Sequence, residues 1–276
     1  MRYCVDIAPL GGFADPRAMA RLARTAEASG WDAFSTWDVL ATTMGGAADP
    51  FVALSAAAAT TERIRLIVSV VALARRRPQL VVQAASSLDL LSGGRLVLGV
   101  GSGADRPDFD AFDEPFEASE RIGRMDEAVD LVDAWLRGET VEHEGRLVER
   151  AVAVGPAPLQ RPRPPIWFGS SGRPGALRRA ARWDGWIAVS VNEDGVTLGL
   201  TPDAFGSAVT RLREERAAAG LDGPYEIAVF GQDGLGGARA SEFADAGATW
   251  WLESYSPMRG SLEEIDAAIA KGPPAG

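Results

Sequence analysis

The sequence predicts an α/β fold: one single-domain (β/α)8 TIM barrel over residues 1–276, with a small hairpin inserted before the fifth strand. Three observations lead there. Strand and helix signals alternate eight times along the chain, with no linker or low-complexity stretch between units, and right-handed βα units in series close naturally into a barrel. Residues 64–73 form a near-continuous β-branched run, which suits a parallel strand covered on both faces. An open doubly wound sheet would more often carry G-x-G-x-x-G after its first strand. Gly11-Gly12 lacks that spacing.

Residues 3–8 are the first strand, ended by Pro9, Gly11 and Gly12. Asp15-Pro16 places a capping carboxylate before a first-turn proline. Met19, Leu22, Ala23 and Ala26 then recur at helical spacing until Gly30. Residues 31–37 are the second strand, and Asp49-Pro50 repeats the cap ahead of an alanine-rich helix to about Thr60. The third strand, 64–73, precedes a helix over 78–91 closed by Gly93-Gly94. Residues 96–100 are the fourth strand, and a helix over 120–136 follows the Gly101-Ser102-Gly103 loop. Residues 141–154 are the inserted hairpin. Strand five is 166–169, with a helix over 175–182, and strand six is 186–189. Thr201-Pro202-Asp203 opens a helix to about Ala219. Residues 225–230 and 249–252 are strands seven and eight, followed by short helices near 241–246 and over 261–270.

Composition narrows the function classes. Lys+Arg is 28 against 38 for Asp+Glu, a net charge of −10, so no cationic surplus exists to neutralise nucleic-acid phosphates. Cys4 and His143 are each the only residue of their type. That rules out an internal disulfide, a cysteine-built metal site and a two-histidine zinc or iron site. No apolar run reaches the roughly 18 residues of a membrane span, and the N-terminus has no signal-peptide layout. The expectation is a soluble cytoplasmic protein with no nucleic-acid or membrane partner.

In a barrel of this kind the chemistry lies at the C-terminal strand ends. There the sequence offers Asp38, Ser69-Val70, Arg75 to Arg77, Ser102, Asp105, Arg106, Ser190, Gln232 and Glu253. Gly169-Ser170-Ser171-Gly172 reads as an anion-binding turn whose small residues admit a ligand to the backbone, or as a plain βα turn. Gly99 to Gly103 admits a flat ring or makes a tight corner. Asp38 is either a base or hydrogen-bond acceptor for a ligand, or a capping or salt-bridged carboxylate. Arg75-Arg76-Arg77 reads first as a solvated run, His143 as a surface residue of the hairpin, and Trp250-Trp251 as packing. Asp6 alternates with Cys4 and Ala8, which turns it into the barrel, where a carboxylate needs a partner. The chain offers few acids and bases of its own. Such a barrel commonly binds and orients a cofactor that carries the reaction.

Six segments resemble the bacterial luciferase-like family. They are Thr61-Glu62-Arg63-Ile64-Arg65-Leu66; residues 87–103, Ser-Leu-Asp-Leu-Leu-Ser-Gly-Gly-Arg-Leu-Val-Leu-Gly-Val-Gly-Ser-Gly; Met125-Asp126-Glu127-Ala128; Pro164-Pro165-Ile166-Trp167-Phe168-Gly169; Ala180-Ala181-Arg182-Trp183-Asp184-Gly185-Trp186; and Gly247-Ala248-Thr249-Trp250-Trp251-Leu252-Glu253. The resemblance implies a barrel that binds FMN or the deazaflavin coenzyme F420. It implies a ring packed against a strand-three bulge at Ser69-Val70, often with a non-proline cis peptide. It implies a phosphate held by loops matching Gly169, Ser170, Ser171 and Ser190, with Gly101 and Ser102 near the ring and an arginine near the cofactor matching Arg121. Asp38 and Arg106 become the polar candidates beside the ring. Two departures stand out: Val39 follows Asp38 where many members have histidine, and Ala104 replaces a glutamate frequent in deazaflavin dehydrogenases. The leading expectation is a monooxygenase-like flavoprotein using reduced FMN and oxygen on a small organic substrate, with a separate flavin reductase as partner and a homodimer by family analogy. The alternatives are an F420-dependent hydride-transferring oxidoreductase and a non-catalytic flavin-binding protein.

Overall fold

A computed structural model describes residues 1–42, 45–104, 106–145, 148–151, 153–189, 200–231 and 238–274. In chain order the first elements are β1 (Arg2–Ile7), α1 (Pro16–Ala28), β2 (Ala33–Thr36), a two-stranded ribbon of β3 (Ala41–Thr42) and β4 (Gly45–Gly46), α2 (Pro50–Ala58), β5 (Arg65–Ala72) and α3 (Pro78–Ser92). Next come β6 (Leu96–Gly101), the short α4 (Arg106–Asp110), α5 (Ala118–Leu136) and a hairpin of β7 (Val141–Glu144) and β8 (Val148–Ala151). The last third holds β9 (Ile166–Ser170), α6 (Pro174–Ala180), β10 (Gly185–Ala188), α7 (Pro202–Ala218), β11 (Glu226–Gly231), α8 (Ala238–Asp245), β12 (Trp250–Tyr255) and α9 (Leu262–Ile269).

The barrel is closed, with strand order β1-β2-β5-β6-β9-β10-β11-β12 and β12 returning to β1. Every strand pair in it is parallel. The predicted barrel and inserted hairpin are therefore both present. The ribbon β3–β4 and the short α4 were not foreseen; they lie in the loops after β2 and β6. The helix starts follow the sequence signals. Asp15 accepts from the Arg17 N–H, and Asp49 from those of Phe51 and Val52. Each thereby satisfies donors that a first helical turn leaves open.

Side-chain alternation along the strands sorts the core into two shells. Cys4, Ala33, Ile67, Val97, Trp167, Ile187, Ala228, Trp250 and Leu252 fill the barrel interior. Their neighbours in sequence, such as Val5, Phe34, Leu66, Leu98, Phe168 and Trp251, pack outward against the helices. Trp250 and Trp251 thus face opposite shells, Trp250 against Trp167 and Trp251 against Phe243. The same parity directs Glu253 outward, where it accepts from Trp251 Nε1 at 2.9 Å and Arg259 at 3.1 Å. It is buried, 1% exposed.

Candidate active site

The mouth is organised by one irregularity. β5 pairs regularly with β6 up to Val68–Leu98 and resumes at Val71–Val100. Ser69 and Val70 therefore oppose the single residue Gly99, which makes a β-bulge. The peptide bond between them is cis, at the position the sequence comparison implied. Because of the extra residue, two consecutive side chains face inward. Ser69 points at Asp6, and Val70, like Val189 and Phe230, packs against the interior cluster.

The glycines around the bulge have a steric cause. A Cβ on Gly99 would collide with the Val68 carbonyl. A Cβ on Gly101 would lie 2.9 Å from Val70 Cγ2, and one on Gly169 would lie 2.6 Å from Val70 Cγ1. Distances under about 3 Å are not tolerated in packed interiors. Gly99, Gly101 and Gly169 thus make room for the bulge and its valine. Gly169, which the sequence reads as part of an anion-binding or plain βα turn, also makes room for Val70.

Asp38 brackets the bulge from the other side. Its N–H donates to the Val70 carbonyl at 3.3 Å, and its carboxylate accepts from the Ala72 N–H at 3.0 Å. Arg76 donates twice to it, at 2.7 Å each, and Arg75 lies 3.3 Å away. Burial alone would raise the Asp38 pKa. The Arg76 hydrogen bond and charge, then Arg75 and the Ala72 N–H, outweigh it and hold the carboxyl below its ordinary range. The predicted solvated arginine run is corrected here: the Arg75 side chain is 2% exposed and paired with Asp108, and Arg76 also reaches Asp49 at 2.9 Å. Only Arg77 of the three is exposed.

Asp6 is buried, 2% exposed. It accepts from Ser35 at 2.6 Å, Ser69 at 2.8 Å and Ser254 at 3.3 Å. Burial raises its pKa despite these three hydroxyls. Sequence parity turns Asp6 inward; its partners come from β2, β5 and β12 and emerge only once the strand order is known.

The remaining candidates divide into separate places. Arg121 holds the loop after β6: its Nη1 donates to the Gly103 carbonyl and its Nε to the Phe116 carbonyl at 2.9 Å. Its guanidinium lies 4.0 Å from the Phe116 ring centre, and that of Arg106 lies 4.4 Å from the same ring. Burial, then the Arg106 charge, lowers the Arg121 pKa. Arg106 itself is largely exposed and 3.7 Å from Asp110. Ser102 is half-buried beside Gly103. Ser170 is turned to the outer shell, accepting from Trp186 Nε1 at 3.2 Å. Ser171 joins Gly172, Arg173, Val189, Ser207 and Arg211 in lining a cleft of about 780 Å³. Ser190, Asp105 and Gln232 lie outside the described residues. His143 is half-buried on the hairpin, 3.3 Å from Glu127 of α5.

Comparison with known proteins agrees with this architecture. The model of the family described as "Luciferase-like monooxygenase" matches residues 4–232. The uncharacterized protein Rv0940c of Mycobacterium tuberculosis is 33% identical over 202 residues, 73% of this chain and 65% of its own length. The aligned part thus spans about two thirds of that relative. Among solved structures, monooxygenase RslO1 from Streptomyces bottropensis superposes with a TM-score of 0.79 at 23% identity, covering 98% of this chain and 96% of its own. The coenzyme F420 dependent tetrahydromethanopterin reductase from Methanopyrus kandleri gives 0.74 at 18% identity, with the same coverage. An F420-dependent secondary alcohol dehydrogenase gives 0.77 at 16% identity, again covering 98% and 96%. At these identities the structural likeness speaks for the fold.

Proposed function

The chain belongs to the luciferase-like monooxygenase family, and on that premise we propose that it is a flavin-dependent oxidoreductase in which reduced FMN and oxygen act on a small organic substrate. The observation that carries the reading is the β5 bulge, which presents Val70 at the mouth against Gly101 and Gly169. A small apolar side chain in a floor of glycines suits a flat ring, which needs contact without protruding groups. The neighbouring cleft fits the other end of the molecule. Arg173 and Arg211 with the hydroxyls of Ser171 and Ser207 line about 780 Å³, a donor set suited to a phosphate. Val189 lines that cleft and also packs on the interior cluster with Val70, so the two places adjoin.

When bound, FMN supplies the redox chemistry. The chain's own residues bind, orient and exclude water. Val70, Val189 and Phe230 form an apolar floor that keeps solvent from the ring's underside. Arg121 fixes the Gly101–Gly103 turn from outside. Asp38 is committed to Arg76, Arg75 and Ala72, and Asp6 to three serines. On this reading both are positioning residues, with Asp38 holding the bulge rather than exchanging a proton. A separate flavin reductase would deliver the reduced cofactor.

One observation favours a second reading, in which the cofactor is coenzyme F420. Two arginines match the roughly two negative charges of a phosphate monoester, and the cleft of about 780 Å³ leaves room beyond that group for the longer anionic tail of the deazaflavin. Titration distinguishes the readings. The wild-type chain should bind FMN more tightly than riboflavin or F420, and Arg173→Glu with Arg211→Glu should weaken FMN but leave riboflavin unchanged. Preference for F420 supports the second reading, and binding of neither cofactor refutes both.

A further inference from the structure

Resting on that flavin reading, we propose that Asp6 is a positioning residue for the cofactor, fixing through Ser69 the bulge that presents Val70 to the ring. The hydroxyls of Ser35, Ser69 and Ser254 converge on one carboxyl from three other strands, and with β1 these are four neighbouring strands of the barrel. A buried carboxyl held by neutral hydroxyls is unfavourable in isolation, so what it holds decides what it is for.

The three serines are not equivalent. Ser35 and Ser254 both sit opposite Asp6 in regular parallel ladders, where main-chain hydrogen bonds already fix the backbone. Ser69 has no ladder partner on either side. The β2–β5 pairing ends at Thr36–Val68, and the β5–β6 pairing skips from Val68 to Val71. Its hydroxyl, with one proton to give, lies 2.8 Å from Asp6 Oδ1 and 3.3 Å from the Thr36 carbonyl of β2, and the shorter contact tethers this stretch toward Asp6. Asp38, just past β2, holds the adjoining residues through the Val70 carbonyl and the Ala72 N–H. Removing the Asp6 tether leaves Ser69 only the longer contact to the Thr36 carbonyl. Val70 then loses the fixed position against Gly101 and Gly169 that makes the floor flat.

The experiment compares Ser69→Ala, Asp6→Ala, Asp6→Asn and Ser35→Ala with the wild type in two measurements. Hydrogen exchange of the cofactor-free protein, read on peptides covering residues 65–73, reports the bulge itself. FMN titration reports its use. Ser69→Ala should lower protection and weaken FMN by about tenfold, the loss of one buried hydrogen bond, and Asp6→Ala, which removes the acceptor of three hydroxyls, by at least as much. Asp6→Asn keeps an acceptor oxygen for Ser69 and should restore both to within about twofold. Ser35→Ala should leave both within about twofold. If Asp6→Ala does not fold, Ser69→Ala decides. Unchanged protection in Ser69→Ala, or an Asn variant as damaged as the Ala one, overturns the proposal. Lost protection in Ser69→Ala with no FMN or F420 binding by the wild type instead refutes the flavin reading, so the two failures are distinct.

Discussion

Asp38→Asn places a neutral isostere in a fully buried carboxylate site. The native side chain has no exposed surface and accepts two hydrogen bonds from Arg76 and one from the Ala72 N–H. Asparagine keeps one acceptor oxygen and turns an NH2 group toward either a guanidinium or a backbone donor. Removing one partner of a buried ion pair costs about 3–5 kcal/mol where the other charge is left alone. Here neither arginine is left alone, because Arg76 keeps Asp49 and Arg75 keeps Asp108. The expected loss is therefore about 2–3 kcal/mol, or about 4–12 °C in Tm for a chain of this size. The pH dependence has a definite sign. The folded pKa of Asp38 lies below its ordinary value, so the stabilisation is complete above the unfolded pKa of about 4 and fades as pH falls through the folded value. The gap between wild type and variant should thus be wide at neutral pH and narrow in acid. Urea unfolding followed by tryptophan fluorescence at both pH values measures it, with the reoxidation rate of bound flavin taken in parallel. A variant as stable as the wild type at neutral pH, but with slowed flavin reoxidation, would show that Asp38 acts on the ligand and that the bracket around the bulge is secondary.

Two further predictions concern the residues around that bulge. Gly169→Ala should lower stability by about 1–3 kcal/mol through overpacking against Val70, and Val70→Ala in the same chain should recover part of the loss; urea midpoints of the single and double variants check this, and a neutral single variant rejects the packing account. Arg121→Lys keeps the charge but not the fork that reaches the carbonyls of Gly103 and Phe116, so it should destabilise by about 1–2 kcal/mol and weaken FMN. Unchanged thermal unfolding and FMN titration would remove Arg121 from the ring-side turn.

The fold was legible because its signals are local. Proline after a capping residue marked Pro16, Pro50 and Pro202 as helix starts, and the 64–73 run marked the strand that became β5. The site was legible only in part, for a reason of range. Asp38, Arg121 and the glycines could be named from position and resemblance, but their partners arise from closure of the barrel. Arg75 and Arg76 read as a solvated run because a row of like charges normally is one. They are drawn inward by Asp38, Asp49 and Asp108, which are 27 or more residues distant in sequence. The partners of Asp6 carried a usable signal. Ser35 and Ser254 occupy inward-facing parity positions on the two strands that flank β1, so parity combined with strand order finds them, whereas Ser69 lies one strand further, on β5, and its reach to Asp6 shows only in the closed barrel.

The inward-facing ring at the mouth has two unlike halves, and the division bears on what the chain contributes to catalysis. β12, β1, β2 and β5 supply Ser254, Asp6, Ser35 and Ser69, which are bonded to one another. β6, β9, β10 and β11 supply Gly101 and Gly169, with Val189 just beyond β10 and Phe230, and these offer no side-chain donor or acceptor. Val70 bridges the two, rooted through its neighbour Ser69 in the polar half and lying against the glycines of the other. Hydroxyls spent on a buried carboxyl are not available to a substrate, and glycine, valine and phenylalanine side chains cannot move a proton. What these described residues do instead is present a small apolar surface of partly buried side chains. That is the contribution expected of a protein whose cofactor carries the electrons, and it explains why the strand ends look poor in acids and bases while the second layer beneath them is densely hydrogen-bonded.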